Sequence, residues 1–290
     1  MLKSFGCAQI MLKQIYPTGH ANHLGTGLTG NKKSSSLTQK VAEKTPGKLA
    51  LIVSLFLVCL LITVFSPPVT QAPDYHYFVD QHSFMGLPNV LNVLSNIPLL
   101  VLGLTGLFMT MKQGKGIGRL ANTEAYSALF FAIIMLAVGS SFYHLWPSNH
   151  TLLWDRLPMA LGCMSLLSVM VGEFVANKLG KLMLYPALAL GASSVLYWYH
   201  TETQGMGDLR SYLLVLAYPL LIMPIMLLFF NSPNKHQKAY WWLLGAFVVA
   251  KICQHYDQQI YDLVGVLSGH TLKHLISCLG IAMFIKHISR

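Results

Sequence analysis

Long apolar segments separated by short polar loops dominate the pattern of the chain. Several of these segments approach or exceed the roughly 18 residues that are typical of a membrane-spanning helix. We therefore predict an all-α, polytopic membrane protein with eight spans, one near the N-terminus and seven downstream. The predicted spans are 49–65, 89–111, 124–145, 151–176, 180–199, 209–230, 239–257 and 268–286.

The same pattern divides the chain into three parts. Residues 1–47 are polar, rich in Gly, Ser, Thr and Lys, and predict a flexible cytoplasmic tail. Residues 48–67 predict an N-terminal transmembrane anchor. A signal peptide is the alternative, with a weak small-residue cleavage site ending at Ala72, but the leader before the apolar run is long for one. Residues 72–288 hold the seven downstream spans and form the candidate functional domain.

Composition and charge agree with a membrane protein. The chain is 54% hydrophobic and 10% charged, whereas soluble domains carry about 25% charged residues. With the N-terminus in the cytoplasm, 16 of the 20 basic residues fall on the cytoplasmic side, so both termini are predicted to be cytoplasmic. The net charge of +10 is spread over all these loops, which argues against a nucleic-acid partner. Five cysteines without close spacing predict no disulfide framework.

Three histidines, a serine and an aspartate are predicted to lie together at the outer, or lumenal, membrane face. Ser140 and His144 end one span, Asp155 begins the next, and His270 and His274 open the last. Residues four apart share one helix face, the spacing by which a helix offers two imidazoles to one metal ion. A third imidazole from His144 would complete a catalytic Zn²⁺ site with an open fourth position.

Hydrolysis is the chemistry that such a set supports. Zinc lowers the pKa of a bound water to about 7, so the water can attack an amide or ester carbonyl. Asp155 would take the proton of the water and return it to the leaving group. The Ser140 hydroxyl would hydrogen-bond the oxyanion. The alternative for His144 is a helix–helix hydrogen bond.

Further polar residues are predicted at the same face. Asp257, Asp262, and Asp208 with Arg210 are candidates for orienting the imidazoles. Their alternative interpretation is a set of solvated loop charges.

Four motifs resemble those of a known family. The motifs GSSFYH, WDRLPM and GHTLKH, together with NVLNVLSN at 89–96, are similar to those of the alkaline ceramidases and their bacterial relatives. That family belongs to the wider superfamily of the progestin/adipoQ receptors. The resemblance covers about residues 72–288. It implies a seven-helix bundle that holds zinc through His144, His270 and His274, with Ser140 and Asp155 as catalytic residues, and hydrolysis of ceramide to a sphingoid base and a fatty acid.

Two positions depart from the eukaryotic members of that family. Arg156 stands where they have a glutamate, and this change could favour an anionic lipid. Asn89 stands at a position of their acidic calcium cluster, of which only Asp74 and Asp80 remain in the preceding loop. We therefore do not predict a calcium site.

The sequence thus predicts a zinc-dependent lipid amidase of the ceramidase type, whose substrate comes from the bilayer. Its alternatives are a hydrolase of another acyl-amide or ester lipid, and a non-catalytic receptor or signalling protein that keeps the zinc. A transporter with a histidine proton relay is a further alternative, but no internal repeat supports it.

Overall fold

The computed structural model describes residues 32–113, 122–230 and 236–289, with side chains from residue 46 onward and without that of residue 113. These described residues are mostly helical and form no strand beyond an isolated bridge between Phe84 and Leu87. The predicted all-α class is confirmed. The helices are α1 Lys32–Phe65, α2 Val90–Leu94, α3 Ile97–Gln113, α4 Thr123–Leu145, α5 Asn149–Phe174, α6 Asn177–Thr203, α7 Arg210–Phe229, α8 Gln237–His255, α9 Asp257–Val264 and α10 Gly269–Ile288.

Seven helical segments in the described part of the chain are long and apolar enough to cross a membrane, which indicates a multi-pass membrane protein. They are Pro46–Phe65, Val90–Lys112, Thr123–Leu145, Asn149–Phe174, Asn177–Thr203, Arg210–Phe229 and Gly269–Ile288. The predicted span 239–257 is a helix, α8, but Lys251 and Gln254 make it less apolar, and it is not among the seven. The division into seven core spans and one N-terminal span therefore stays a prediction.

The helices from α3 to α10 pack side by side, and α5 lies at the centre. Helix α5 contacts α4, α6 and α7, whereas α10 contacts α8, α3 and α2. Most of the apolar part of α5 is buried, whereas Pro46–Phe65 has few buried residues. Ile52 is the buried residue of this N-terminal segment, and its carbonyl accepts a hydrogen bond from the Tyr218 hydroxyl at 2.6 Å. Residues 1–31 of the predicted tail lie outside the described residues.

Two glycines allow close helix contacts at one end of the molecule. A Cβ atom at Gly139 would lie 2.0 Å from the Trp154 carbonyl oxygen, so α4 and α5 approach closely there. A Cβ atom at Gly269 would lie 2.1 Å from the Cys253 carbonyl oxygen. Only glycine permits these two approaches. They fix the end of α4 and the start of α10, where the predicted site residues lie.

Local hydrogen bonds set the starts of α5 and α10 at this same end. The Ser148 hydroxyl accepts a hydrogen bond from the Thr151 backbone N–H at 3.2 Å, and Thr151 bonds back to the Ser148 backbone, which forms a capping box. The Ser268 hydroxyl caps α10 by accepting a hydrogen bond from the Thr271 N–H at 3.1 Å. Both helices therefore begin at defined positions.

The segment 66–89, which we call the strap, crosses the same end of the bundle. Its Val69 carbonyl accepts a hydrogen bond from the Leu209 N–H at 2.8 Å. The His76 imidazole bonds the Tyr143 hydroxyl at 3.1 Å and the Asn149 side chain at 3.0 Å. These bonds fasten the strap to α4, α5 and the start of α7.

Candidate metal centre

The three predicted histidines lie together. One ring nitrogen from each of His144, His270 and His274 lies within 4.8 Å of the others, and this is the one such metal-ligand group in the described part of the chain. The ring centroids are 5.0 Å apart for His144 and His270, and 5.3 Å apart for His144 and His274. We call these three side chains the histidine triad. The end of α4 and the first turns of α10 therefore meet as the sequence predicted.

The hydrogen bonds of His274 define which ring nitrogen is free for a metal. Ser95 donates its hydroxyl proton to the Asn92 carbonyl at 2.8 Å. The same oxygen lies 2.8 Å from His274 Nδ1. Because a serine hydroxyl has one proton, Ser95 accepts from the Nδ1–H of His274. The Nε2 lone pair of His274 is then available as a ligand.

The other two histidines have different surroundings. Buried His144 has no protein partner for Nδ1 among the described residues. His270 Nε2 lies 3.1 Å from the ammonium nitrogen of Lys273. Because an ammonium group only donates, Lys273 occupies the Nε2 lone pair of His270. A metal bound through this nitrogen would have to displace the lysine, whereas ligation through Nδ1 would not.

Ser140 and Asp155 lie beside each other near the triad. The Asp155 carboxyl interacts with the Ser140 hydroxyl, and the positive charge of Lys273 acts on it. The close approach of α4 and α5 at Gly139 brings these two side chains together. Ser140 is buried and Asp155 is half-buried. A carboxylate and a hydroxyl are thus present beside three imidazoles.

Three residues that contact the triad were not predicted from the sequence. The buried Phe78 ring of the strap lies 4.7 Å from the ring of His144 and 5.6 Å from that of His270, between centroids. Lys273 was also overlooked, although its position one turn from His270 and its charge inside an apolar segment were signals in the sequence. Ser95 lies within the motif NVLNVLSN, but its contact with His274 requires the folded chain.

The additional acidic residues differ in their placement. The Asp257 carboxylate accepts the backbone N–H of His270 at 2.8 Å, so it holds the start of α10 rather than an imidazole. Asp262 is exposed and accepts from Gln258 Nε2 at 2.8 Å. Asp208 pairs with Arg210 at 2.8 Å. None of these three carboxylates belongs to the metal-ligand group described above.

The strap and α2 also contact the site through asparagines. Asn89, the position that departs from the calcium cluster, donates its side-chain N–H to the His144 carbonyl at 2.8 Å. The Asn92 side-chain oxygen accepts from the Thr271 hydroxyl at 2.8 Å. These bonds join α2 to α4 and α10. They hold the end of α4, which carries His144, at a fixed position relative to the start of α10, which carries His270 and His274.

The donor set fits a metal ion that prefers nitrogen ligands. Three imidazoles within 4.8 Å of one another match the three protein ligands of a catalytic zinc site. The buried His144 Nδ1, without a protein partner among the described residues, is a polar atom that a metal would satisfy. A group of residues that could hold a metal ion is therefore present, as predicted from the sequence.

An apolar cavity lies within the bundle, among the helices that carry the site. It has a volume of about 220 Å³ and is lined by α4, α5, α7, α8 and α10. Its lining includes Met159 and Ser277, each within one or two turns of the site residues on its own helix. The cavity is wide enough for part of an alkyl chain.

No model of a known protein family matches this chain, and no curated protein matches it. The resemblance to ceramidases therefore rests on the short motifs alone.

Proposed function

We propose that the chain is a zinc-dependent integral-membrane hydrolase that cleaves the amide of a ceramide-like lipid into a long-chain amine and a fatty acid. The observation that carries this proposal is the convergence of the histidine triad with Asp155 and Ser140 at one end of the bundle. A structural zinc site closes its coordination with protein ligands, whereas three histidines leave a position for reacting groups. The motif resemblance supports the choice of substrate.

The side chains at the site have distinct roles in this reaction. A bound zinc ion would supply Lewis-acid activation of water and of the substrate carbonyl. Asp155 removes the proton of the attacking water and delivers it to the leaving amine. Ser140, one turn before His144 on α4, would turn its hydroxyl from Asp155 to donate a hydrogen bond to the oxygen on which negative charge develops. The Phe78 ring covers the triad and limits access of bulk water.

The apolar cavity supports a lipid as the substrate. Its lining is almost wholly apolar, and the helices that bound it carry exposed apolar side chains. An alkyl chain could enter it sideways while the polar group stays near Asp155. Each buried CH₂ group contributes about 0.8 kcal/mol to binding. A long-chain substrate would therefore bind well without many polar contacts.

The proposed arrangement in the membrane follows the charge of the loops. Seven core spans, including α8, would follow one N-terminal anchor, with both termini in the cytoplasm. The histidine triad would then face the outer or lumenal side. Cysteine labelling of single-cysteine variants in sealed vesicles would test this, because Tyr77→Cys, at an exposed position of the strap, should react only from the outside.

The decisive test of the proposed reaction is product release by wild type and by Asp155→Asn. Purified protein is incubated with N-acyl sphinganine and with a total lipid extract, and fatty acid is measured by mass spectrometry. We expect release by wild type and a loss of at least about 1,000-fold in Asp155→Asn, with metal content retained. Asp262→Asn, at an exposed site on the same face, is the matched control.

The outcomes distinguish the alternatives. Release from an ester or another acyl amide, but not from N-acyl sphinganine, would change the substrate and keep the mechanism. Metal without any product, or product release by Asp155→Asn at the wild-type rate, would refute hydrolysis by this site. The first of these outcomes, metal without any product, would leave the receptor interpretation in its place.

A further inference from the structure

A buried arginine lies next to Asp155 in the sequence and is surrounded by aromatic rings. Arg156 is 4% exposed. Its guanidinium carbon lies 4.1 Å from the ring centroid of Trp198, 5.2 Å from that of Tyr212 and 5.3 Å from that of Tyr75. The rings come from α6, α7 and the strap. They hold the planar guanidinium by cation–π contact and leave it little room to change its position.

We call Arg156 and the three rings around it the aromatic box. Two hydrogen-bond donors in this box have no protein acceptor among the described residues. They are Nη1 of Arg156 and Nε1 of Trp198, and both side chains are more than nine-tenths buried. Arg156 Nη2 donates to the Gln71 side chain of the strap. Leaving a buried donor without an acceptor is unfavourable, and more so for a charged group. This part of the fold therefore favours an additional acceptor.

The charge of Arg156 is also not neutralised by a direct ion pair. In the described part of the chain no carboxylate oxygen lies within 4.0 Å of its guanidinium nitrogens. By contrast, Arg210 at the same end of the bundle is paired with Asp208 at 2.8 Å. A guanidinium with free N–H groups matches the oxygens of phosphate and carboxylate, to which it donates two parallel hydrogen bonds.

The position of the box connects it with the metal centre. Arg156 follows Asp155 on α5, and the charge of Arg156 acts on the Asp155 carboxyl. Two strap residues, Gln71 and Tyr75, contact the arginine, and a third, Phe78, covers the triad. A ligand group at Arg156 would therefore lie beside the reacting groups and under the same strap.

We propose that Arg156 and Trp198 bind an oxyanion, phosphate or carboxylate, on the head group of the lipid substrate. This inference rests on the proposed function and narrows it: the preferred substrate is an acyl-amide lipid with an acidic head. The aromatic walls exclude water, so each hydrogen bond to the oxyanion is stronger than in solution. A neutral head leaves both donors without an acceptor and binds less well.

The test compares two lipids that differ only in the head group. N-hexadecanoyl-sphinganine and its 1-phosphate are offered to wild type, Arg156→Gln, Trp198→Phe and the control Arg210→Gln. We expect wild type to prefer the phosphate by at least about 10-fold in kcat/KM, and Arg156→Gln to reduce this preference by about 10- to 100-fold. Trp198→Phe keeps an aromatic ring beside the guanidinium and removes the N–H together with part of the indole, so a smaller loss of about 5-fold in the preference is expected. Arg210→Gln should keep the wild-type preference.

A preference for the neutral lipid in wild type, or equal losses on both lipids in Arg156→Gln and Trp198→Phe, would overturn the proposal. Should Arg156→Gln fail to fold, Trp198→Phe and Arg156→Lys carry the same comparison. Arg156→Lys keeps the charge but loses the fork of two N–H groups, so the preference should fall without disappearing.

A binding measurement separates this inference from the hydrolase proposal. Dodecyl phosphate and inorganic phosphate are added to the detergent-solubilised protein, and the Tm is followed. We expect dodecyl phosphate to raise the Tm of wild type but not that of Arg156→Gln. This result without hydrolysis of either lipid would refute the proposed reaction and keep the oxyanion site. Equal stabilisation of both proteins, or of neither, would refute the site. Equal protection of wild type by inorganic phosphate would refute a lipid head group as the source of the anion.

Discussion

Gly139→Ala is predicted to disturb the site, because α4 and α5 touch at Gly139. The added methyl group of Gly139→Ala would lie 2.0 Å from the Trp154 carbonyl oxygen and 3.3 Å from the Asp155 backbone nitrogen. The oxygen belongs to the backbone of a helix and cannot rotate away. The two helices must therefore move apart at the point where Ser140 and Asp155 meet.

The size of the movement follows from the contact distance. Non-bonded heavy atoms pack at about 3.5 Å, so the helices must separate by roughly 1.5 Å at this point. Overpacking of this kind costs about 1–3 kcal/mol of stability. A misplacement of about 1 Å between reacting groups lowers the rate by about 100-fold. We expect Gly139→Ala to lose about 100-fold in hydrolysis and to have a lower Tm.

The assay measures hydrolysis, Tm and metal content of the same preparation. The metal content should stay close to that of wild type, because the triad is built from α4 and α10 and not from α5. Gly245→Ala is the control, since a Cβ at Gly245 meets nothing within 4 Å. Wild-type hydrolysis and an unchanged Tm in Gly139→Ala would refute the idea that this contact aligns Ser140 with Asp155.

Three further predictions concern the surroundings of the site. Ser95→Ala removes the acceptor of the His274 Nδ1–H, so zinc affinity measured by competition with a chelator should fall about 10- to 100-fold, and an unchanged affinity would contradict the assigned ring orientation. Lys273→Met removes a competing cation 3.1 Å from an imidazole, so zinc affinity should rise about 10-fold; a lower affinity would show that the lysine supports the site. Hydrogen bonds from Arg210 hold the pKa of Asp208 below its ordinary value of 3.8. The Asp208 carboxyl therefore binds a proton less readily in the folded state than in the unfolded state. The Asp208–Arg210 pair stabilises the protein at pH values above 3.8, and this stabilisation is lost as the pH falls through the lower pKa of the folded state. Asp208→Asn should lower the Tm at pH 7, and the difference from wild type should shrink as the pH falls below 3.8; a difference that does not change with pH would refute the assignment.

The residues of the metal centre were predictable because helix periodicity and membrane topology act together. The spacing of four between His270 and His274 determines that they share a face once α10 forms. The alternation of spans brings the end of α4 and the start of α5 to the same side as the start of α10. The sequence alone was therefore enough to predict that Ser140, His144 and Asp155 lie at the same end of the bundle as His270 and His274.

Other features depend on contacts that no pattern reveals. The predicted span 89–111 is divided into α2 and α3 because Ser95 and Asn96 hydrogen-bond the Asn92 carbonyl with their side chains, at 2.8 Å and 3.0 Å. Such local bonds compete with regular helix formation. Likewise, the strap shows no periodicity, so the position of Phe78 over the triad could not be predicted.

The short helix α9 was also missed, although it had a signal. Asp257–Val264 is too short and too polar to stand out as a helix beside the apolar spans. Gly265, at φ 74°, ends it in the left-handed conformation that is typical of glycine after a helix. The dense polar sequence before this glycine resembled a loop. Its function is local, because Asp257 at its start holds the N-terminus of α10.

The metal content of the purified protein tests the central claim most directly. Wild type, His270→Ala and the exposed control His255→Ala are purified in detergent, and zinc per chain is measured by inductively coupled plasma mass spectrometry. The account predicts about one zinc ion per chain in wild type and His255→Ala, and its loss in His270→Ala. Wild type without a tightly bound metal, or His270→Ala with a full complement of zinc, would contradict the metal centre and the hydrolytic mechanism derived from it.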